Sequence, residues 1–145
     1  MRISEVVEKT GLESLNSWED DELTGVYISD MVSDIITGAE SGDLLLTLQT
    51  HKNLIAAANL VDVGIVVFAR DKRPADDVLE LADKAGIPLF ASPDDTWTCA
   101  KKLYGPGYFR RKAVETVLRE LRVGRKRYRF REVIFKDSYL SGDKA

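Results

Sequence analysis

The sequence predicts an α/β domain of three layers, with helices covering both faces of a mainly parallel, Rossmann-like sheet. Short apolar runs alternate with stretches of helical period as far as residue 104, which is the pattern of successive strand–helix–strand units. The run 44–48 is almost wholly apolar, as expected of a strand covered on both faces, and the run 65–69 is the richest in β-branched residues. The length of 145 residues suits one domain whose core needs no disulfide or metal.

The N-terminal segment is predicted to form a short helix followed by a short strand. Ser4 is expected to cap this helix, and Gly11 is expected to end it. Residues 12–15 form the predicted strand, and the acidic run 17–22 is expected to be a solvated polar loop.

A second predicted strand, 25–28, leads into a second helix. Ser29 and Asp30 are expected to cap that helix, and Gly38 is expected to end it. The apolar stripe predicted to face the core consists of Met31, Val32, Ile35 and Ile36. A turn then precedes the strand at 44–48.

The polar link 49–53 joins this strand to a helix predicted at 54–61, and the strand 65–69 follows. Pro74 is expected at the start of the next helix, and Gly86 is expected to end it. The core face predicted for this helix consists of Val78, Leu81, Ala82 and Ala85.

The last predicted strand, 87–91, contains Pro88, which indicates either the beginning of a strand or an edge strand. Asp94 or Asp95 is expected to cap a final helix that reaches Tyr104. The sequence therefore predicts an α/β domain at 1–105, followed by an extension at 106–145.

The extension differs from the domain in charge. The first 100 residues hold 7 Lys and Arg against 19 Asp and Glu, and the last 45 hold 14 against 5. Either the basic segment lies on the acidic body or on a second copy of it, or it binds nucleic acid or another acidic partner. The residues predicted to make these contacts are Arg125, Lys126, Arg127, Arg129 and Arg131.

Two further patterns in the extension bear on partners. Residues 109–121 have the pattern of an amphipathic helix, whose apolar face must be covered by this chain or another, so we expect a homodimer. Tyr128 and Phe130 alternate with arginines, which is compatible with a basic strand and with stacking on nucleic-acid bases.

The chemistry-bearing residues exclude several functional classes. One Cys and one His cannot form a disulfide or a typical zinc site, and phosphate-binding and nucleophile-elbow motifs are absent. Cys99 is predicted to be a packed thiol. We therefore predict no catalytic residue, no metal and no cofactor. No apolar run reaches 18 residues, so we expect a cytoplasmic protein with no membrane contact.

One candidate site remains, at the carboxyl ends of the predicted parallel strands, where open α/β sheets bind ligands. Polar side chains follow the strands there, and helix N-termini offer free N–H groups to an anion such as a phosphate or nucleotide. The predicted ligand-binding residues are Ser29, Asp30, Gln49, Thr50, His51, Asn53 and Ser92. Alternatively these residues are ordinary caps and turns, and His51 simply caps its helix.

Three segments follow a familiar pattern, namely the run 24–30, the run 42–44 and the run 47–53, which holds Gln49-Thr50-His51-Lys52-Asn53 between strand and helix. They resemble the DRTGG-domain family, and the later segments 74–85, 86–88 and 94–104 fit the same pattern. The resemblance covers about residues 1–105 and leaves 106–145 outside it. In place of the motif that gives the family its name, this chain has the Gln49–Asn53 stretch.

The resemblance implies a Rossmann-like module that is commonly dimeric and not catalytic by itself. Family members occur as regulatory domains beside phosphotransacetylases and inside nucleotide-regulated pyrophosphatases. It therefore implies an adenine nucleotide or another phosphorylated metabolite as ligand, and a kinase-like protein as a partner. An enzyme acting through the rim of Ser29, Asp30, Thr50 and His51 is the weakest alternative, since no second acid–base group is identifiable near His51.

Overall fold

The computed structural model describes residues 1–104, and there a five-stranded sheet lies between two layers of helices. The strands are β1 (Glu13–Ser14), β2 (Gly25–Ile28), β3 (Asp43–Thr47), β4 (Ile65–Phe68) and β5 (Leu89–Ala91). The helices are α1 (Ile3–Thr10), α2 (Val32–Gly38), α3 (Lys52–Val61), α4 (Asp76–Ala85) and α5 (Thr96–Tyr104).

The strand order is β1-β5-β4-β3-β2, with β2 to β5 mutually parallel and β1 antiparallel to β5. Because β2 to β5 are neighbours in sequence order and such crossovers are right-handed, the connecting helices α2, α3 and α4 lie on one face. Helices α1 and α5 contact each other on the opposite face. This arrangement confirms the predicted three-layer, mainly parallel α/β fold.

The two central strands, β3 and β4, are buried along their whole length. Their side chains alternate between the two faces, as the pleat requires. Leu45 and Val66 pack among residues of α2, α3 and α4, whereas Leu44 and Ile65 pack among residues of α1 and α5. The run 44–48 was therefore correctly predicted to be a strand covered on both faces, and the strand at 65–68 is covered in the same way.

The first two helices begin differently from the prediction. Helix α1 starts at Ile3, and its second residue, Ser4, is not the cap. Its N–H and hydroxyl donate to the carboxylate of Asp20, at 2.9 and 2.8 Å. Helix α2 has Met31 at its N-cap, so Ser29 and Asp30 do not cap it. In α1 the carboxylate comes from a distant loop, which local sequence patterns do not reveal.

The predicted apolar faces of α2 and α4 were too wide. Ile35 and Ala82 are fully buried, but Met31, Ile36 and Leu81 are 63%, 40% and 36% exposed. Helix α2 is short, contacts α3 and lies against Tyr27 of the edge strand β2, so only a narrow stripe meets the core.

Of the two alternatives predicted from Pro88, the beginning of a strand is confirmed and the edge strand is wrong. Pro88 directly precedes β5, which lies inside the sheet between β1 and β4 rather than at an edge. Asp95 accepts the N–H of Thr98 at 2.7 Å, so Asp95, and not Asp94, caps α5.

The predictions for the C-terminal extension, including the helix at 109–121 and the basic residues Arg125 to Arg131, lie outside the described residues. The boundary at 105–106 likewise stays a prediction. Among the helices of residues 1–104, none has the length and apolar character needed to cross a membrane.

Candidate ligand-binding site

The parallel strands β2 to β5 end at the same edge of the sheet, and the predicted ligand-binding residues follow three of them. Ser29 and Asp30 come after β2, the segment 49–53 connects β3 to α3, and Ser92 follows β5. The structure therefore places all of these residues at the carboxyl edge, but it gives them different roles.

Asp30 fastens the end of β2 to the end of β3. One carboxylate oxygen accepts the hydroxyl of Thr47 at 2.9 Å and the N–H of Leu48 at 2.7 Å. The Thr47 oxygen in turn accepts the N–H of Gln49 at 3.1 Å. Asp30 thus shapes the start of the 49–53 connection.

Ser29 stabilises the adjacent turn. Its hydroxyl oxygen accepts the N–H of Met31 at 3.2 Å, and its own N–H donates to the carbonyl of Leu46. Both groups are therefore used, the hydroxyl in the turn before α2 and the N–H in the contact with β3.

The start of α3 is the most open part of this edge. His51 occupies the N-cap position with extended backbone, but its imidazole makes no capping hydrogen bond, and the first turn contains no acidic residue. Gln49 and Thr50 are half-buried, while His51 and Asn53 are exposed. His51 therefore does not cap the helix through its side chain.

The other described helices differ from α3 in this respect. Each of α1, α2 and α4 has an acidic residue in its first turn, and α5 is capped by the Asp95 carboxylate. The first N–H groups of α3 and the positive end of its dipole thus have no carboxylate from the first turn or the cap.

Lys52 is the only charged residue in this connection, and it is directed toward the neighbouring helix. Its ammonium group lies 3.0 Å from the carboxylate of Asp77 in α4, and this hydrogen bond lowers the pKa of Asp77. The interaction joins α3 to α4 beside the open helix end.

Ser92 belongs to the interior rather than to the surface of this edge. It is fully buried, and its hydroxyl oxygen accepts the N–H of Asp94 at 3.2 Å. The thiol of Cys99 is also buried, as predicted, and burial raises its pKa while a hydrogen bond with Ser92 opposes that change. Ser92 does not present a donor to solvent.

The loops after β4 and β5 diverge to α4 on one face and α5 on the other, which is where open α/β sheets usually form a ligand crevice. In this protein two backbone hydrogen bonds join the two loops and so close the crevice. The N–H groups of Arg70 and Asp71 donate to the carbonyls of Asp94 and Ser92, both at 2.7 Å. Arg70 and Asp71 both adopt positive φ, at 57° and 53°. The 49–53 connection therefore remains as the candidate site.

The donor set at the open α3 end suits an anion rather than a metal. It consists of backbone N–H groups together with the hydroxyl, imidazole and amide of Thr50, His51 and Asn53. Within residues 1–104, no three His, Cys, Asp or Glu side chains are grouped as metal ligands.

Comparisons with known proteins show a family and a solved structure to which this chain is similar. A family model described as the DRTGG domain matches residues 5–105. A similar solved structure is that of the CBS and DRTGG domains from the regulatory region of a Clostridium perfringens pyrophosphatase, complexed with its activator diadenosine tetraphosphate. The TM-score is 0.57 at 14% sequence identity, over 70% of this chain. No curated protein matches.

The present chain covers 45% of that solved structure, so it spans less than half of the pyrophosphatase regulatory region. At this level of identity the likeness concerns the fold.

Proposed function

The chain belongs to the DRTGG-domain family, and from this premise we propose that it is a non-enzymatic regulatory module that binds a small anionic ligand. The binding site is the start of α3 with its preceding connection, formed by Gln49, Thr50, His51 and Asn53. Asp30 and Ser29 support this connection from the end of β2.

The observation that carries the proposal is the open N-terminus of α3. A helix start leaves backbone N–H groups without intrahelical partners, and the helix dipole favours negative charge there. In α3 no side chain caps these groups, and no acidic residue in the first turn offsets the dipole. A phosphate group bound there would accept those N–H groups and the neighbouring polar side chains.

The proposed ligand class comes from a solved structure of similar fold. The pyrophosphatase regulatory region of similar fold was solved with a dinucleotide polyphosphate, and such a ligand carries the phosphates that the α3 end would accept. Adenine nucleotides and other phosphorylated metabolites are therefore the compounds to test first.

Thermal unfolding of the full chain with and without ligand tests the proposal. The compounds are AMP, ADP, ATP, diadenosine tetraphosphate and inorganic phosphate, each at up to millimolar concentration. A ligand at 100 times its Kd stabilises the native state by about 2.7 kcal/mol. No shift with any of them would refute the ligand and leave a module that acts through a protein partner.

The regulatory role also implies partners. We propose a homodimer and a kinase-like protein as the interacting chains, because a module without chemistry of its own must pass its state to another protein. Size-exclusion chromatography with light scattering at micromolar concentration should give the mass of a dimer, and a monomer under those conditions would refute the homodimer.

A second candidate function concerns the basic extension. Five basic residues, Arg125, Lys126, Arg127, Arg129 and Arg131, alternate in part with aromatic residues, a composition that suits phosphate contacts and base stacking. Binding to single- and double-stranded oligonucleotides should then weaken steeply between 50 and 200 mM salt. No binding at the lower salt concentration would exclude nucleic acid.

A further inference from the structure

A cleft of about 630 Å³ lies at the opposite edge of the sheet, where the strands begin. One wall is the loop 16–21, and the other is the end of α4 with residues 86–88, which lead into β5. The candidate ligand site at the start of α3 takes no part in this cleft.

The cleft is acidic. Glu19, Asp20, Asp21 and Asp83 all line it. The Asp20 carboxylate is held by the N–H and hydroxyl of Ser4 and by the guanidinium of Arg2, and these hydrogen bonds lower its pKa to about 2. Within residues 1–104, Glu19, Asp21 and Asp83 form no ion pair with a basic side chain.

An aromatic ring lies among these carboxylates. Trp18 lines the cleft, is half-buried and packs edge-to-face against Phe90, with the ring centroids 5.6 Å apart. Contact with Phe90 holds the indole in place, and an indole face beside carboxylates is a favourable surface for an arginine side chain.

The described chain ends on the same side of the sheet. Leu103 packs in the cluster that contains Ile3, and Trp18 packs against that cluster. Helix α5 follows β5 and crosses back over β3 and α1, so it runs toward the edge at which the strands begin. Tyr104, the last described residue, therefore lies toward the edge of the sheet that holds the cleft.

The remaining chain is long enough and basic enough to occupy the cleft. Residues 106–145 hold 12 Lys and Arg against 5 Asp and Glu. Lys126 is 22 residues beyond Tyr104, a span of up to about 70 Å when extended. A domain of this size has a radius of gyration of about 13 Å, so reach does not limit the contact.

We propose that the acidic cleft is the docking surface for the chain's own basic segment, residues 110–131. Arginines of this segment lie against Glu19, Asp21 and Asp83, and one stacks on Trp18. The contact explains the charge division of the sequence, because the excess positive charge of the extension then offsets most of the excess negative charge of the first 100 residues.

Zero-length carbodiimide cross-linking of the full chain tests this docking, since it joins only carboxylates and amines in direct contact. At low salt we expect cross-links from Lys112 or Lys126 to Glu19, Asp21 or Asp83, identified by peptide mass spectrometry. In 1 M salt, where the Debye length is about 3 Å, these cross-links should be lost.

A mixture of isotopically light and heavy protein separates the same chain from a second copy. Docking within one chain gives only light–light and heavy–heavy products, at a yield independent of dilution. Mixed light–heavy products would overturn the proposal and assign the cleft to the segment of another copy.

Paired charge reversals complete the test. Glu19→Lys with Asp21→Lys should lower the yield of cross-links to Asp83 about fivefold or more, a change that one strong exposed charge pair can produce. The matched control, Glu8→Lys with Glu80→Lys, changes the net charge equally at exposed positions outside the cleft. Equal yields in the two variants, or no cross-link to these carboxylates in the natural sequence, would overturn the proposal.

Discussion

Replacing Asn53 by aspartate should stabilise the ligand-free protein and at the same time weaken its binding of an anion. Asn53 is the second residue of α3, is exposed, and follows an N-cap that makes no side-chain hydrogen bond. The substitution keeps the shape of the side chain and adds one negative charge to the helix start.

The two effects have opposite signs and can be estimated separately. A carboxylate in the first turn of a helix stabilises it by about 0.3–1 kcal/mol, which raises the Tm of a domain of this size by about 1–4 °C. If the same carboxylate weakens the ligand tenfold, a ligand present at 100 times the original Kd stabilises by about 1.4 instead of about 2.7 kcal/mol.

The assay is thermal unfolding of both proteins across a ligand titration at low salt. The matched control is Asn59→Asp, which makes the same chemical change on the same helix but near its C-terminal end, where Asn59 is also exposed. There the dipole opposes a negative charge, so the control should lower the Tm slightly and leave the ligand-induced shift unchanged.

Anion binding at the start of α3 is refuted if Asn53→Asp binds the ligand as tightly as the natural sequence does. It is equally refuted if Asn53→Asp and Asn59→Asp weaken binding alike, since the effect would then come from net charge and not from the start of α3.

Three further predictions concern the supporting structure. Asp30→Ala leaves a buried Thr47 hydroxyl without its acceptor and should cost about 1–2 kcal/mol in urea unfolding; a neutral Asp30→Ala would contradict the role given to this carboxylate. Asp20 has a pKa of about 2 in the native state against an ordinary 3.8. The contribution of its carboxylate to folding stability is therefore complete above pH 3.8 and is lost as the pH falls toward 2. The difference in unfolding free energy between the natural protein and Asp20→Asn should therefore shrink over that range. A constant difference would disprove that the Asp20 carboxylate stabilises the folded protein. In Gly38→Ala the new Cβ would overlap the Tyr27 hydroxyl group, so we expect a loss of about 1–3 kcal/mol from overpacking, and an unchanged Tm would show that the ring moves without cost.

The fold class and nearly every helix and strand of residues 1–104 follow from local patterns in the chain. Strands such as β4 are predicted by a short run of apolar residues that become buried. Helix ends are predicted by glycines that adopt left-handed backbone, as Gly11 and Gly86 do. Patterns that span only a few residues can be predicted from the sequence alone.

The candidate site was predictable in its position but not in the role of each residue. Parallel strands must end together, so the sequence located the polar residues at one edge. Whether Asp30 caps its own helix or holds Thr47 of the next strand depends on strand register, and no local pattern encodes that. The closure of the β4–β5 crevice depends likewise on two loops about 20 residues apart meeting through backbone hydrogen bonds.

The acidic loop 17–22 illustrates the same division. Its composition predicted a polar, solvated segment, and most of its residues are indeed exposed. Only the tertiary structure directs Asp20 to the start of α1 and brings Asp83 from the end of α4 to the opposite wall. Charge and local periodicity are properties of the chain, whereas a site requires residues distant in sequence to meet, and packing of the finished sheet decides that.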